Sequence, residues 1–210
     1  MERTGDPQLV GVPVFVVGSI ALGFHLTEYY SSGNFGGPIP IVLGATGLFL
    51  FLACFWAAAI GASWVAGFFA LYGGFWISYA LLVLGLNNGW YAFGGVGAAG
   101  GETDAFFGNL KHTVAAFAIA WAAILFMLAF SSFRLPLIYG LINALVIVAL
   151  CLVATAFLTG ELWDEDILNA AGIVAWVFAG LGGWVFMSVA DAALGGKGFP
   201  LGPVLIKPPG

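Results

Sequence analysis

The chain has 210 residues, 62% hydrophobic and 7% charged, with a mean hydropathy of +1.07 and a net charge of −5. A soluble domain of this size cannot hide that much apolar surface, so lipid is the solvent of its outer face. Five Lys and Arg in total give no electrostatic footprint for nucleic acid, which excludes it as a partner.

Six apolar segments are long enough to cross about 30 Å of hydrocarbon: Leu9–Tyr29, Ile39–Ile60, Trp64–Leu86, Leu110–Phe130, Leu135–Thr159 and Ile167–Ala190. Each is predicted helical, because a helix satisfies its own backbone in lipid. The expectation is an all-α integral membrane protein: one six-helix transmembrane domain over 1–210, with a short N-terminus 1–8 and a C-terminal tail 191–210, both cytoplasmic. Polar punctuation marks the breaks, at Ser31-Ser32-Gly33-Asn34, Asn87-Asn88-Gly89, Arg134 with Pro136, and Gly160-Glu161. Gly61-Ala62-Ser63 is the weakest break because it carries no charge. The opening Met1–Leu9 is too polar and acidic for a cleavable signal, so the first span is expected to insert and stay. Cys54 and Cys151 lie in apolar runs as small hydrophobes.

In the first span, Asp6-Pro7 is a helix-start signal, while Gly11 and Pro13 fall in the first turns. Pro13 removes a backbone donor, which predicts a bent or broken start whose free N–H groups can hold an anion; the alternative is a plain interfacial cap. Near the other end, His25 and Glu28 are three residues apart, on one helix face if the helix continues. They are read either as a proton relay, since His titrates near neutrality, or as an interfacial contact.

The third span contains ALYGGFWISY over Ala70–Tyr79. The Tyr72 hydroxyl needs protein, a pore or the interface; Gly73 and Gly74 let a helix or a solute approach; Phe75, Trp76 and Tyr79 supply bulky walls. Lys111 and His112 open the fourth span, where a cation at a helix N-terminus needs compensation, by snorkelling or by attracting anions. Asn143 is the only amide in its apolar run and reads either as a helix–helix bond or as a solute ligand. Small residues throughout predict close helix packing and a homo-oligomer.

Four of the five basic residues (Arg3, Arg134, Lys197, Lys207) fall on the side of the termini, and Lys111 alone on the other. The positive-inside rule therefore places both termini in the cytoplasm. The opposite side holds Glu28, Glu102, Asp104, Glu161, Asp164, Glu165 and Asp166. No phosphate loop, H-E-x-x-H or paired Cys/His spacing is present, so no enzyme activity, cofactor or metal is expected.

Asp6-Pro7-Gln8-Leu9-Val10-Gly11-Val12 resembles the N-P-A-P-L-G-L signature of the acetate uptake transporter family, also called the GPR1/FUN34/YaaH family. Tyr72-Gly73-Gly74-Phe75-Trp76 resembles its Y-G-S-F-W; Phe15, His25, Trp121 and Met187–Asp191 echo weaker positions. Asp6, Gln8 and Leu9 depart from the signature, the turn at Gly61-Ala62-Ser63 lacks the family's charge, and the glycine-rich loop 87–109 is long.

The resemblance implies a transporter or channel for acetate and similar short monocarboxylates, either proton-linked (symport) or channel-like, in the cell membrane. It implies a hexamer with one pathway per protomer and a narrow apolar waist where Phe15 meets Tyr72, completed by an aliphatic near Val146. Asp6, Pro7, Gly11, Phe15, Tyr72, Trp76, Asn143 and Val146 are the substrate-binding candidates on this reading, and His25 and Glu28 the proton-relay candidates. Two other classes fit the composition: a neutral-solute pore for ammonia or water, and a structural or accessory membrane subunit with a stable partner.

Overall fold

The computed structural model describes residues 5–29, 37–88, 90, 104–160 and 163–206. Arg3, Lys207, Glu102 and Glu161, and most of loop 87–109, lie outside the described residues. Among the described residues, six helices are long and apolar enough to cross a membrane. They are α1 (Gln8–Leu26), a π-helical turn (Pro40–Gly47) running into α2 (Leu48–Ala59), α3 (Ser63–Asn87), α4 (Asp104–Ser132), α5 (Leu137–Thr159) and α6 (Glu165–Ala193). The expected spans match within a few residues.

The uncharged break after the second span is real: α2 stops at Ala59, and Gly61 takes a left-handed φ of 78° before α3 begins at Ser63. Asp164 starts α6, its Oδ1 accepting from the Ile167 N–H at 3.1 Å, with Glu165 and Asp166 in the first turn. That places three acids at the positive end of the helix dipole. Lys111 is compensated as well: its Nζ donates to the Gly160 carbonyl just beyond the C-terminus of α5, where a cation is favourable.

Of the bent or broken start expected for the first helix, the broken form is absent. α1 is continuous through Pro13, and the Gly11 N–H donates to the Pro7 carbonyl at 3.0 Å. Proline costs the donor at its own position but leaves the N–H groups before it free to bond in sequence. Asp6 serves as the cap, its Oδ1 accepting from the Gln8 N–H at 2.9 Å.

α1 packs most extensively on α6, α5 on both α4 and α6, and α2 on α3. Missing side chains make this closeness feasible: a Cβ on Gly182 would lie 2.9 Å from Val16, and one on Gly172 would lie 2.6 Å from Thr27. Gly73 and Gly74 serve the same end, facing Phe51 and Leu50 of α2 and Trp121 of α4 rather than open space.

Beyond α6 the tail folds back across the ends of the helices. Leu137 and Ile138 donate their N–H groups to Pro203 and Leu201, and Ile206 donates to Phe133. Ser188 both donates to and accepts from Phe199, while Asp191 Oδ2 accepts from the Gly198 N–H at 2.9 Å. The Met187–Asp191 stretch thus anchors the tail. Gly198 and Gly202 sit at φ 71° and 85°, turning the chain where an L side chain would be strained.

Candidate functional site

α3 places Tyr72, Trp76 and Tyr79 on successive turns, and α1 brings Phe15 against them. The Phe15 and Tyr72 rings meet edge to face, centroids 5.0 Å apart at 81°. Phe15 also lies 6.0 Å from Phe178 of α6. Val146 of α5 lines the same space, so α1, α3, α5 and α6 all contribute to one apolar constriction.

A cavity of about 50 Å³ opens on the constriction; among its walls are Phe15, Tyr72, Trp76, Val146, Phe117 and Phe178. A larger cavity of about 210 Å³ lies toward the end of the bundle that holds His25, Asn87, Leu110 and Trp163. Leu26, Tyr79, Leu82, Val114 and Val153 wall both cavities, so the two lie side by side between the His25 end and the Phe15–Tyr72 contact.

The hydroxyl of Tyr72 is engaged. It donates to Asn143 Oδ1 at 2.5 Å, Asn143 Nδ2 donates to Ser132 Oγ, and Ser132 Oγ donates to the Leu128 carbonyl. Asn143 is fully buried and does not wall either cavity. This relay ties α3, α5 and α4 together behind the constriction and fixes the Tyr72 ring. Asn143→Leu should therefore lower stability by about 1–3 kcal/mol, since it strands the buried Tyr72 O–H. Thermal unfolding in detergent measures this, and an unchanged midpoint would show that the relay contributes nothing.

Of the sequence candidates, Phe15, Tyr72, Trp76 and Val146 are brought to one cavity and His25 to the adjoining one. Asp6, Pro7 and Gly11 wall neither cavity; they start α1 and pack, a Cβ on Gly11 falling 2.3 Å from the Phe69 ring. Glu28 does not share a helix face with His25. α1 ends at Leu26, and Glu28 is exposed in a left-handed turn at φ 52°.

Phe178 and Phe117 carry no signal in the sequence, because each sits in an apolar run with no polar residue to single it out. Tyr79 reads there as a bulky wall, yet it also carries a buried hydroxyl with no hydrogen-bond partner among the described residues. Among the described residues, no cluster of three or more His, Cys, Asp or Glu could hold a metal.

A sequence model of the GPR1/FUN34/yaaH family matches residues 1–194 of this chain. Among solved structures, one described as the bacterial acetate channel SatP superposes with a TM-score of 0.76 at 15% identity, covering 95% of this chain and 100% of that one. The shared fold extends over nearly the whole bundle. No curated protein matches the sequence.

Proposed function

This chain belongs to the GPR1/FUN34/yaaH family, and from that premise we propose that it is a membrane transporter or channel for acetate and similar short monocarboxylates. The observation that carries the reading is the pair of adjacent cavities, with shared walls, that lead to the Phe15–Tyr72–Val146 constriction. Support for the substrate comes from the fold shared with a protein described as an acetate channel. A short monocarboxylate has an alkyl end that suits such walls and a head small enough for the volume. A bare anion in an apolar constriction is costly, so the solute passes either with water or as the protonated acid.

The proton-linked form of the reading rests on His25, which walls the wider cavity with its ring 6.3 Å from that of Tyr79. Free carboxylic acids titrate at about pH 4, so lowering the outside pH increases the neutral form. With the termini in the cytoplasm, His25 faces the outer mouth. An inward proton gradient should then stimulate acetate uptake, and His25→Ala should blunt that stimulation more than basal flux. Initial rates across external pH 5 to 8 in matched proteoliposomes are the measurement. Identical pH profiles for the two proteins would remove His25 from the mechanism, and a flat wild-type profile would mark an anion channel.

Assembly as a homo-oligomer, a hexamer by resemblance, in the cell membrane belongs to the same proposal. Gly44, Gly67, Gly180 and Gly183 have nothing within 4 Å of where a Cβ would stand, which supports close approach by another copy. A neutral-solute pore is the second reading, favoured by cavity walls whose only ionisable groups among the described residues are His25 and tyrosines. Radiolabelled acetate uptake into proteoliposomes, with and without a pH gradient, separates them. Ammonia flux without acetate flux would establish the second.

A further inference from the structure

Two residues that wall the cavity each carry a buried polar atom with no hydrogen-bond partner among the described residues: Trp76 Nε1 and Tyr79 Oη. Both atoms are buried, and Trp76 as a whole is 1% exposed. Nearly all buried donors in folded proteins are paired, and a stranded one is costly, so something that accepts hydrogen bonds belongs there. Trp76 and Tyr79 are three apart on α3, hence on one face, and their ring centroids lie 6.4 Å apart at 83°. Both side chains wall the small cavity on the His25 side of the Phe15–Tyr72 contact.

Tyr72 cannot fill the same role, because its proton is held by Asn143. The donor closest along the helix to the constriction is therefore Trp76, with Tyr79 one turn farther toward the wide cavity. The remaining walls, among them Phe15, Val146, Phe178 and Phe117, offer no hydrogen-bonding side chain.

We propose that Trp76 Nε1 and Tyr79 Oη form a two-donor carboxyl site just before the constriction, holding the head of a monocarboxylate while its alkyl end rests on Phe15, Val146 and Phe178. An ionised carboxylate only accepts, which matches an N–H and an O–H; a protonated acid is matched too, because Tyr79 Oη accepts from its O–H. Indole N–H cannot accept at all, so the pair selects a head with a free oxygen over an ammonium. With two donors and no cation in the small cavity the hold is weak, which suits a solute that must leave again. The assignment of the solute rests on the transport reading; the existence of an acceptor site does not.

The test uses protein labelled with 5-fluorotryptophan, in which the fluorine resonance lost in Trp76→Phe identifies Trp76. Adding sodium acetate should shift that resonance saturably, whereas sodium chloride at equal ionic strength should not. Tyr79→Phe, which removes only the hydroxyl, should raise the acetate midpoint and the KM for acetate uptake by roughly threefold to tenfold. A Trp76 resonance indifferent to acetate in protein that transports acetate would overturn the site and leave the transport reading standing. An unchanged midpoint and KM in Tyr79→Phe would overturn the site equally. A titrating Trp76 resonance in protein that carries no acetate would keep the site and remove the transport reading.

Discussion

Cutting Phe15 back to Ala should raise propionate flux relative to acetate by about tenfold in proteoliposomes, the smaller end of what one methylene is worth in an apolar pocket. The Phe15 ring lies between Tyr72 at 5.0 Å and Phe178 at 6.0 Å, in contact with both sides of the constriction. Its removal merges that gap with the cavity of about 50 Å³ already beside it. Truncating a packed Phe costs about 3–5 kcal/mol, and here the cost falls toward the lower end because one face of the ring already borders open space. Phe15→Leu, which retains more of the packing, should show a smaller gain in the same direction. Size-exclusion chromatography in detergent checks that each variant still assembles. If acetate, propionate and butyrate fluxes all fall equally and the oligomer is lost, the ring is packing and does not set the solute size.

Gly11→Leu should abolish both folded protein and transport, and Phe69→Ala in the same chain should restore a substantial part of each. A Cβ at Gly11 would stand 2.3, 2.4 and 2.8 Å from three atoms of the Phe69 ring, distances no real contact tolerates. Phe69 is itself 2% exposed and has little room to give way. Overpacking a filled interior costs about 1–3 kcal/mol, and a leucine with this many clashes reaches the top of that range or beyond. The two residues touch, so their effects should be strongly non-additive in a double-mutant cycle. Yield of monodisperse protein and its thermal midpoint are the readouts. If Gly11→Leu is well folded but inactive, and Phe69→Ala restores nothing, a solute rather than Phe69 comes close to this backbone.

Composition and periodicity settle the class of this protein without help from the fold. Runs such as Leu137–Thr159 have one stable solution in lipid, a helix that keeps its hydrogen bonds to itself, and their ends are set by local polar residues. Even Gly61-Ala62-Ser63, with no charge to mark it, ends a helix because glycine takes the left-handed turn there. Tyr72 and Trp76 are recognisable from their sequence context, since a phenol and an indole beside two glycines are conspicuous in an apolar run; Phe15 is singled out only by the family resemblance.

Partnership between distant residues is not recognisable in the same way. Whether Tyr72 gives its proton to a solute or to Asn143, 71 positions along the chain, depends on how α3 and α5 are rotated against each other. The same rotation leaves Trp76 Nε1 and Tyr79 Oη without a partner among the described residues, although all three residues look alike as polar aromatics in the sequence. Gly11 and Pro13 read locally as a broken helix for an anion. The tertiary structure instead fills the space over Gly11 with Phe69 and lets the helix run through. Glu28 reads as a neighbour of His25 only while the helix continues, and the chain turns away one residue after Thr27. Lipid fixes each span's secondary structure because backbone polarity is satisfied within the span. The site is decided by side chains meeting across helices, where spacing along one helix carries no information about which face its neighbours will present.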